Sequence, residues 1–178
     1  TNFTGMFYRA LAFNQDIGGW DVSNGTNFMM MFLGTYAFNQ DIGSWDVSNG
    51  TNFSYMFEDA AAFNQDIGGW DVSNGTNFSY MFYFGGHANG NSSFNQDISS
   101  WDVSNGTNFK KMFYGAEVFD QNLSLWDVSN GVNFDDMFED SLASRNQGIP
   151  NTPNISYFDA TTGAVSYTHL RAHETATY

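Results

Sequence analysis

The sequence predicts a repeat solenoid in which each coil is a short parallel β-strand, a turn and a short helix. Three observations predict it. The stretch FNQDIGGWDVSNGTNF at residues 13–28 returns letter for letter at 63–78. Variants fill the intervals: FNQDIGSWDVSNGTNF at 38–53, FNQDISSWDVSNGTNF at 94–109 and FDQNLSLWDVSNGVNF at 119–134. Trp20, Trp45, Trp70, Trp101 and Trp126 mark a period of 25 residues with one interval of 31. Such a period belongs to arrays whose units stack only on their neighbours.

The helix comes first in the unit that begins at Phe28. Phe28, Met31 and Phe32 have the i, i+3, i+4 spacing of one helical face. The preceding Asn-Gly-Thr-Asn offers caps, and a small residue follows (Thr35, Ala60, Ala116). So short a run needs tertiary packing to persist. The strand comes next: Trp45 and Val47 alternate around Asp46, placing Trp and Val inward. Ser48-Asn49-Gly50 supplies the turn. Identical coils put like on like, so Phe28, Phe53, Phe78 and Phe109 form one interior column. Met31, Met56, Met81 and Met112 form a second, and Phe13, Phe38, Phe63, Phe94 and Phe119 a third. Stacked aromatics bury large areas, which accounts for an aromatic fraction of 19% in a chain whose mean hydropathy is only −0.37.

Composition excludes several classes. The net charge is −14 with only five Lys and Arg, which disfavours nucleic acid and anionic membranes, since both demand a cationic surface. Cysteine is absent, so neither disulfides nor thiolate metal sites staple the fold. No apolar run approaches membrane-spanning length. Without Cys, and with His87 the one histidine before the tail, no Ser-His-Asp or Cys-His constellation can be assembled. The Asp residues recur regularly, whereas an active site is a local exception. The chain is therefore expected not to be an enzyme.

The WDVSNGTNF…MF…FNQDI pattern over residues 1–144 resembles a bacterial surface-protein and lipoprotein repeat family of about 25 residues. That family is long labelled a domain of unknown function, is abundant in Mycoplasma and Listeria surface proteins, and is similar to BspA-type leucine-rich repeats. The resemblance implies a leucine-rich-repeat-like solenoid, an extracellular or cell-surface location and an adhesive or interaction role with a protein or glycan partner. It supplies no catalytic residue. The family usually carries Val after Ser-Asn and Met after Thr-Asn. This chain has Gly25, Gly50, Gly75, Gly106 and Gly131 at the first position, and Phe28, Phe53, Phe78, Phe109 and Phe134 at the second. A small-for-Val, large-for-Met exchange conserves volume between the two, and the resulting Asn-Gly pairs invite deamidation.

The array of five to six coils is expected to span 1–144, with a six-residue insertion near 85–93 (GGHANGNSS). Residues 145–163 leave the pattern as a cap or linker. AVSYTHLRAHET at 164–175 resembles translated read-through of a sequencing-library adapter, with a genuine C-terminal strand as the alternative, so 164–178 is set apart. The chain opens in mid-coil without an initiating Met, as expected of a fragment.

Candidate site residues follow from the columns. Asp21, Asp46, Asp71, Asp102 and Asp127 should point outward, one per coil. At the strand spacing of about 4.8 Å, two such charges repel by roughly 0.9 kcal/mol even in bulk water. Hydrogen bonds from the following Ser-Asn backbone offset this in one reading. Bound calcium offsets it in the other, with these five Asp as ligands, although no DxDxDG or GGxGxD pattern is present. Asp46, Asp71, Asp102 and His87 are the candidate partner contacts. A second column, Asp16, Asp41, Asp66 and Asp97, becomes Asn122 in the fifth coil, which favours turn formation over metal ligation. The Asn14-Gln15 and Asn39-Gln40 pairs are expected to bond coil to coil. Ice binding through Thr26, Thr51, Thr76 and Thr107 is a third reading, weakened by the lack of a second Thr column.

Overall fold

The computed structural model describes residues 1–85 and 92–142, with the backbone of two short strands beyond them. These are β1 (Tyr157–Asp159) and β2 (Ala164–Ser166), paired antiparallel with Tyr157 opposite Ser166 and Asp159 opposite Ala164.

The repeats stack coil on coil, but the expected coil of strand, turn and short helix does not form. The expected strand-and-helix solenoid is overturned by the backbone. Among the described residues there is no helix, and the repeats contain no strand. The segment expected to be helical is a run of turns. Met31, Leu33 and Thr35 donate backbone N–H to Phe28, Met30 and Phe32, each three residues back. The amides between them look elsewhere: Phe28, Met30, Phe32 and Gly34 donate to Asn52, Ser54, Met56 and Glu58 of the next coil at 2.8–3.0 Å. An α-helix would keep all these donors for itself.

The physical reason is a left-handed residue inside each run. Met30, Tyr55, Tyr80, Lys111 and Asp136 have φ between 51° and 59°, and Gly5 holds the same place in the first coil. A second left-handed position follows four residues later at Arg9, Gly34, Asp59, Gly115 and Asp140. A residue in that region cannot continue a right-handed helix, and costs a non-glycine side chain roughly 1–2 kcal/mol. The alternating inter-coil bonds offset this cost. The apolar spacing nevertheless served its purpose, because Phe28, Met31 and Phe32 are all fully buried. Successive turns return every third and fourth residue to one side, as a helix does.

The strand expected at Trp45-Asp46-Val47 is also absent, though its alternation holds: Trp45 and Val47 are buried and Asp46 is exposed. Between Phe38 and Asn49 no backbone-to-backbone bond joins this coil to the one before it. Side chains do so instead. Trp45 Nε1 donates to the Ile17 carbonyl at 3.1 Å, and Asn49 Nδ2 to the Ser23 carbonyl at 2.9 Å. Asn14 Oδ1 accepts from the Asn39 backbone and from Gln40 Nε2, so the expected amide ladder forms. Parallel pairing does occur, but one residue at a time and at the Asn before each anchoring Phe: Asn2, Asn27, Asn52, Asn77, Asn108 and Asn133.

The interior is aromatic. Phe28, Phe53, Phe78, Phe109 and Phe134 stack with ring centroids 5.3–5.6 Å apart. Phe32, Phe57, Phe82, Phe113 and Phe138 form a neighbouring ladder. Within each coil a ring of that second ladder meets one of the Phe38 column, at 4.2 Å for Phe32 and Phe38. The insertion leaves the stack in register, since Phe78 still meets Phe109 at 5.6 Å and Phe63 meets Phe94 at 6.0 Å.

The Gly-for-Val, Phe-for-Met exchange is explained directly. A Cβ on Gly50 would lie 2.4 Å from Phe53 Cζ, and the corresponding distances at Gly25, Gly75, Gly106 and Gly131 are 2.0–2.4 Å. The tip of each Phe fills the space a side chain would need, so the two positions trade volume.

Candidate functional site

The repeated polar residues are consumed by the fold. Asp21 and Asp46 each accept, on Oδ1, the backbone N–H and the hydroxyl of the Ser two residues on, the hydroxyl at 2.6 Å. Asp71, Asp102 and Asp127 accept the backbone N–H of Ser73, Ser104 and Ser129 at 3.0 Å. The Ser hydroxyl and then the Ser amide hold the carboxyls of Asp21, Asp46 and Asp102 below the usual range, and for Asp127 the amide contributes more. The expected like-charge repulsion is present at Asp46, raised by Asp21, and at Asp102, raised by Asp127, but the turn bonds outweigh it. No group of three or more His, Asp or Glu side chains among the described residues is placed to hold a metal ion. In the second column Asp41 and Asp66 close turns onto Gly43 and Gly68, and Asn122 closes the same turn onto Ser124 at 3.0 Å. The neutral amide does the same work as the carboxylates.

The Thr column is likewise occupied. Thr51, Thr76 and Thr107 are exposed, and their hydroxyls donate to the preceding Thr carbonyl at 3.1 Å. His87 lies within 86–91, outside the described residues.

A different arc carries the chemistry that the repeat does not use. Position by position, the first left-handed column reads Met30, Tyr55, Tyr80, Lys111, Asp136, and the column three residues on reads Leu33, Glu58, Tyr83, Tyr114, Glu139. Their backbones are fixed by the inter-coil bonds described above, which leaves the side chains free to differ. Tyr55 and Tyr80 stack at 4.6 Å, Tyr80 leans on Tyr83 at 5.3 Å, and Tyr83 stacks on Tyr114 at 5.1 Å. All four are partly exposed. Lys111 Nζ lies 4.6 Å from the Tyr114 ring centre and 3.5 Å from Asp136 Oδ2, and Lys110 pairs with Asp135 at 3.5 Å.

Electrostatics set this arc apart. Partial burial raises the phenols of Tyr55, Tyr83 and Tyr114. Burial, with neighbouring Asp59 adding to it, pushes the Glu58 carboxyl up to about 7. Burial works to lower the Lys111 ammonium, but Asp136, Tyr80 and Tyr83 outweigh it and raise its pKa. The result is a stripe of phenol edges and hydroxyls flanked by acids. Sequence reading missed it because attention falls on columns that repeat. The legible signal was the converse, two columns that do not.

Fold and surface together define a repeat protein of stacked coils with a regular body and one variable arc. The family described as Mycoplasma protein of unknown function, DUF285, matches residues 1–92 and 86–152, and the chain belongs to it. Two overlapping matches are what a repeat family produces along an array. No curated protein and no solved structure matches the chain. Among the described residues no helix is long and apolar enough to cross a membrane.

Proposed function

We propose that the chain is a non-enzymatic interaction module, displayed at a cell surface, that adheres to a polypeptide partner through its tyrosine arc. The observation that carries this reading is the division of labour between columns. Repeated polar side chains are bonded within or between coils, whereas Tyr55, Tyr80, Tyr83 and Tyr114 take part through their backbones and their side chains, partly exposed, are left to other uses. Tyrosine supplies large contact area at low entropic cost and is enriched at interaction hot spots. A sugar ring stacks on an open aromatic face. Here Tyr55 and Tyr80 each have one face covered by the other, which leaves less open face for a sugar and favours polypeptide over glycan. A net charge of −14 favours a basic partner face. The surface location rests on the family resemblance.

Interferometry of the intact chain against immobilised basic polypeptides and neutral polysaccharides, with calcium and with EDTA, tests the proposal. The variant Tyr55→Ala/Tyr80→Ala/Tyr83→Ala should lose affinity for the polypeptide on the order of tenfold or more. Asp46→Asn/Asp71→Asn/Asp102→Asn should bind as the parent does. Loss confined to the Asp variant, or binding abolished by EDTA, would replace this reading with a calcium-held module. Binding only to polysaccharide would overturn the partner class.

A further inference from the structure

We propose that the Asn-Gly column is the site of spontaneous covalent modification in this molecule, and that coil stacking decides when its members react. The pairs are Asn24-Gly25, Asn49-Gly50, Asn74-Gly75, Asn105-Gly106 and Asn130-Gly131. In such a pair the glycine amide nitrogen attacks the Asn side-chain carbonyl carbon. A new C–N bond closes a succinimide, the Cγ–Nδ2 bond breaks, and ammonia leaves. Water then opens the ring at either carbonyl, giving aspartate or isoaspartate. Glycine permits this best because no Cβ hinders the approach.

Every Asn of the column is exposed, so water reaches it. The nucleophile, however, is held. The amides of Gly25, Gly50, Gly75, Gly106 and Gly131 donate to the Val carbonyl three residues back at 2.7–2.9 Å. A second restraint acts on the electrophile. Asn49, Asn74, Asn105 and Asn130 donate Nδ2 to the Ser carbonyl of the preceding coil at 2.8–2.9 Å, which ties the side chain to the stack. Both bonds must break before the ring can close. Four sites are therefore doubly held.

The product is incompatible with the stack. A carboxylate at Asn74 would place oxygen against the Ser48 carbonyl, and isoaspartate would add a backbone methylene beside the glycine that accommodates Phe78. A doubly held site reacts only while its coil is open, and once reacted it resists re-stacking. The column thus records time spent unfolded.

The methionine positions make the test direct. Cyanogen bromide cleavage yields 7–29, 32–56, 57–81 and 113–137, and each carries one member of the column: Asn24, Asn49, Asn74 and Asn130. Incubation at mildly alkaline pH in ¹⁸O-water, folded and in urea, followed by mass analysis of these fragments, reads each rate. In the folded chain Asn49, Asn74 and Asn130 should each convert roughly tenfold or more slower than in urea, since each added restraint raises the opening free energy. In urea all four should converge. Rates at Asn49, Asn74 and Asn130 that urea leaves unchanged would overturn the inference.

Discussion

Two arcs of each coil hold the stack together by different means. From Asn27 to Gly34 the backbone does the stitching, through alternating amides that reach the next coil. From Phe38 to Asn49 side chains do it: an indole N–H, carboxamides and a hydroxyl. A backbone bond is indifferent to the side chain that rides on it. A Trp or Asn bond is not. The phrase FNQDIxxWDVSN therefore repeats where side chains stitch, and Met30, Tyr55, Tyr80 and Lys111 differ freely where the backbone does. Variation useful for recognition collects on the arc whose stability does not depend on it.

The junction of the arcs gives the largest expected effect. Gly50→Val drives a side chain into Phe53 and should cost about 3 kcal/mol or more in denaturant unfolding, at the upper end for an overpacked core. Adding Phe53→Met should recover at least half, because the pair restores the family's volume exchange. A double variant no better than the sum of its parts would show that the two positions do not trade space.

A smaller contrast separates the arcs themselves. Trp70→Phe removes the Nε1 bond to the Ile42 carbonyl, which keeps only the Trp45 amide, and leaves space where a buried indole packed, so it should cost ~1–3 kcal/mol. Tyr80→Gly loses ring contacts but relieves a left-handed side chain at φ 59°, so its stability should stay within ~1 kcal/mol of the parent. Equal losses from both would erase the distinction.

The smallest effect is a pH dependence confined to the variable arc. The folded chain holds the Glu58 proton up to about pH 7, whereas an ordinary Glu releases it near 4.5. The folded state thus binds more protons across that window, and stability should fall as pH rises through it. The lowered carboxyls of Asp21, Asp46, Asp102 and Asp127 act in the opposite sense, and only below the ordinary carboxylate pKa, where acid removes their turn bonds. Glu58→Gln should flatten the melting temperature between pH 4.5 and 7. A slope that survives the substitution assigns the linkage elsewhere.

Burial was legible in the sequence, but the backbone path was not. Phe28, Met31, Phe32, Trp45 and Val47 are inside as their spacing required. Yet i, i+3, i+4 spacing reports which residues share a side, and consecutive turns satisfy it as well as a helix does. Nothing in Met30 or Tyr55 announces a left-handed residue, since neither is Gly or Asn. That conformation is imposed by the neighbouring coil's carbonyls. The turn roles of Asp16 and Asp41 were readable because Asn122 replaces them without loss. The tyrosine arc was hidden because its members share a column but not a letter.

The direction of the stitching has a consequence for length. Phe28, Met30, Phe32 and Gly34 aim their N–H groups toward the following coil. Thr51, Ala62, Asn64, Trp70 and Asn74 aim backbone or side-chain N–H groups toward the preceding one. The two arcs are therefore opposed stripes of dipoles. An α-helix sums its peptide dipoles to about half a charge at each end, but here the stripes largely cancel as coils are added. Units can be gained or lost without charging the ends, so the backbone dipoles place no ceiling on coil number.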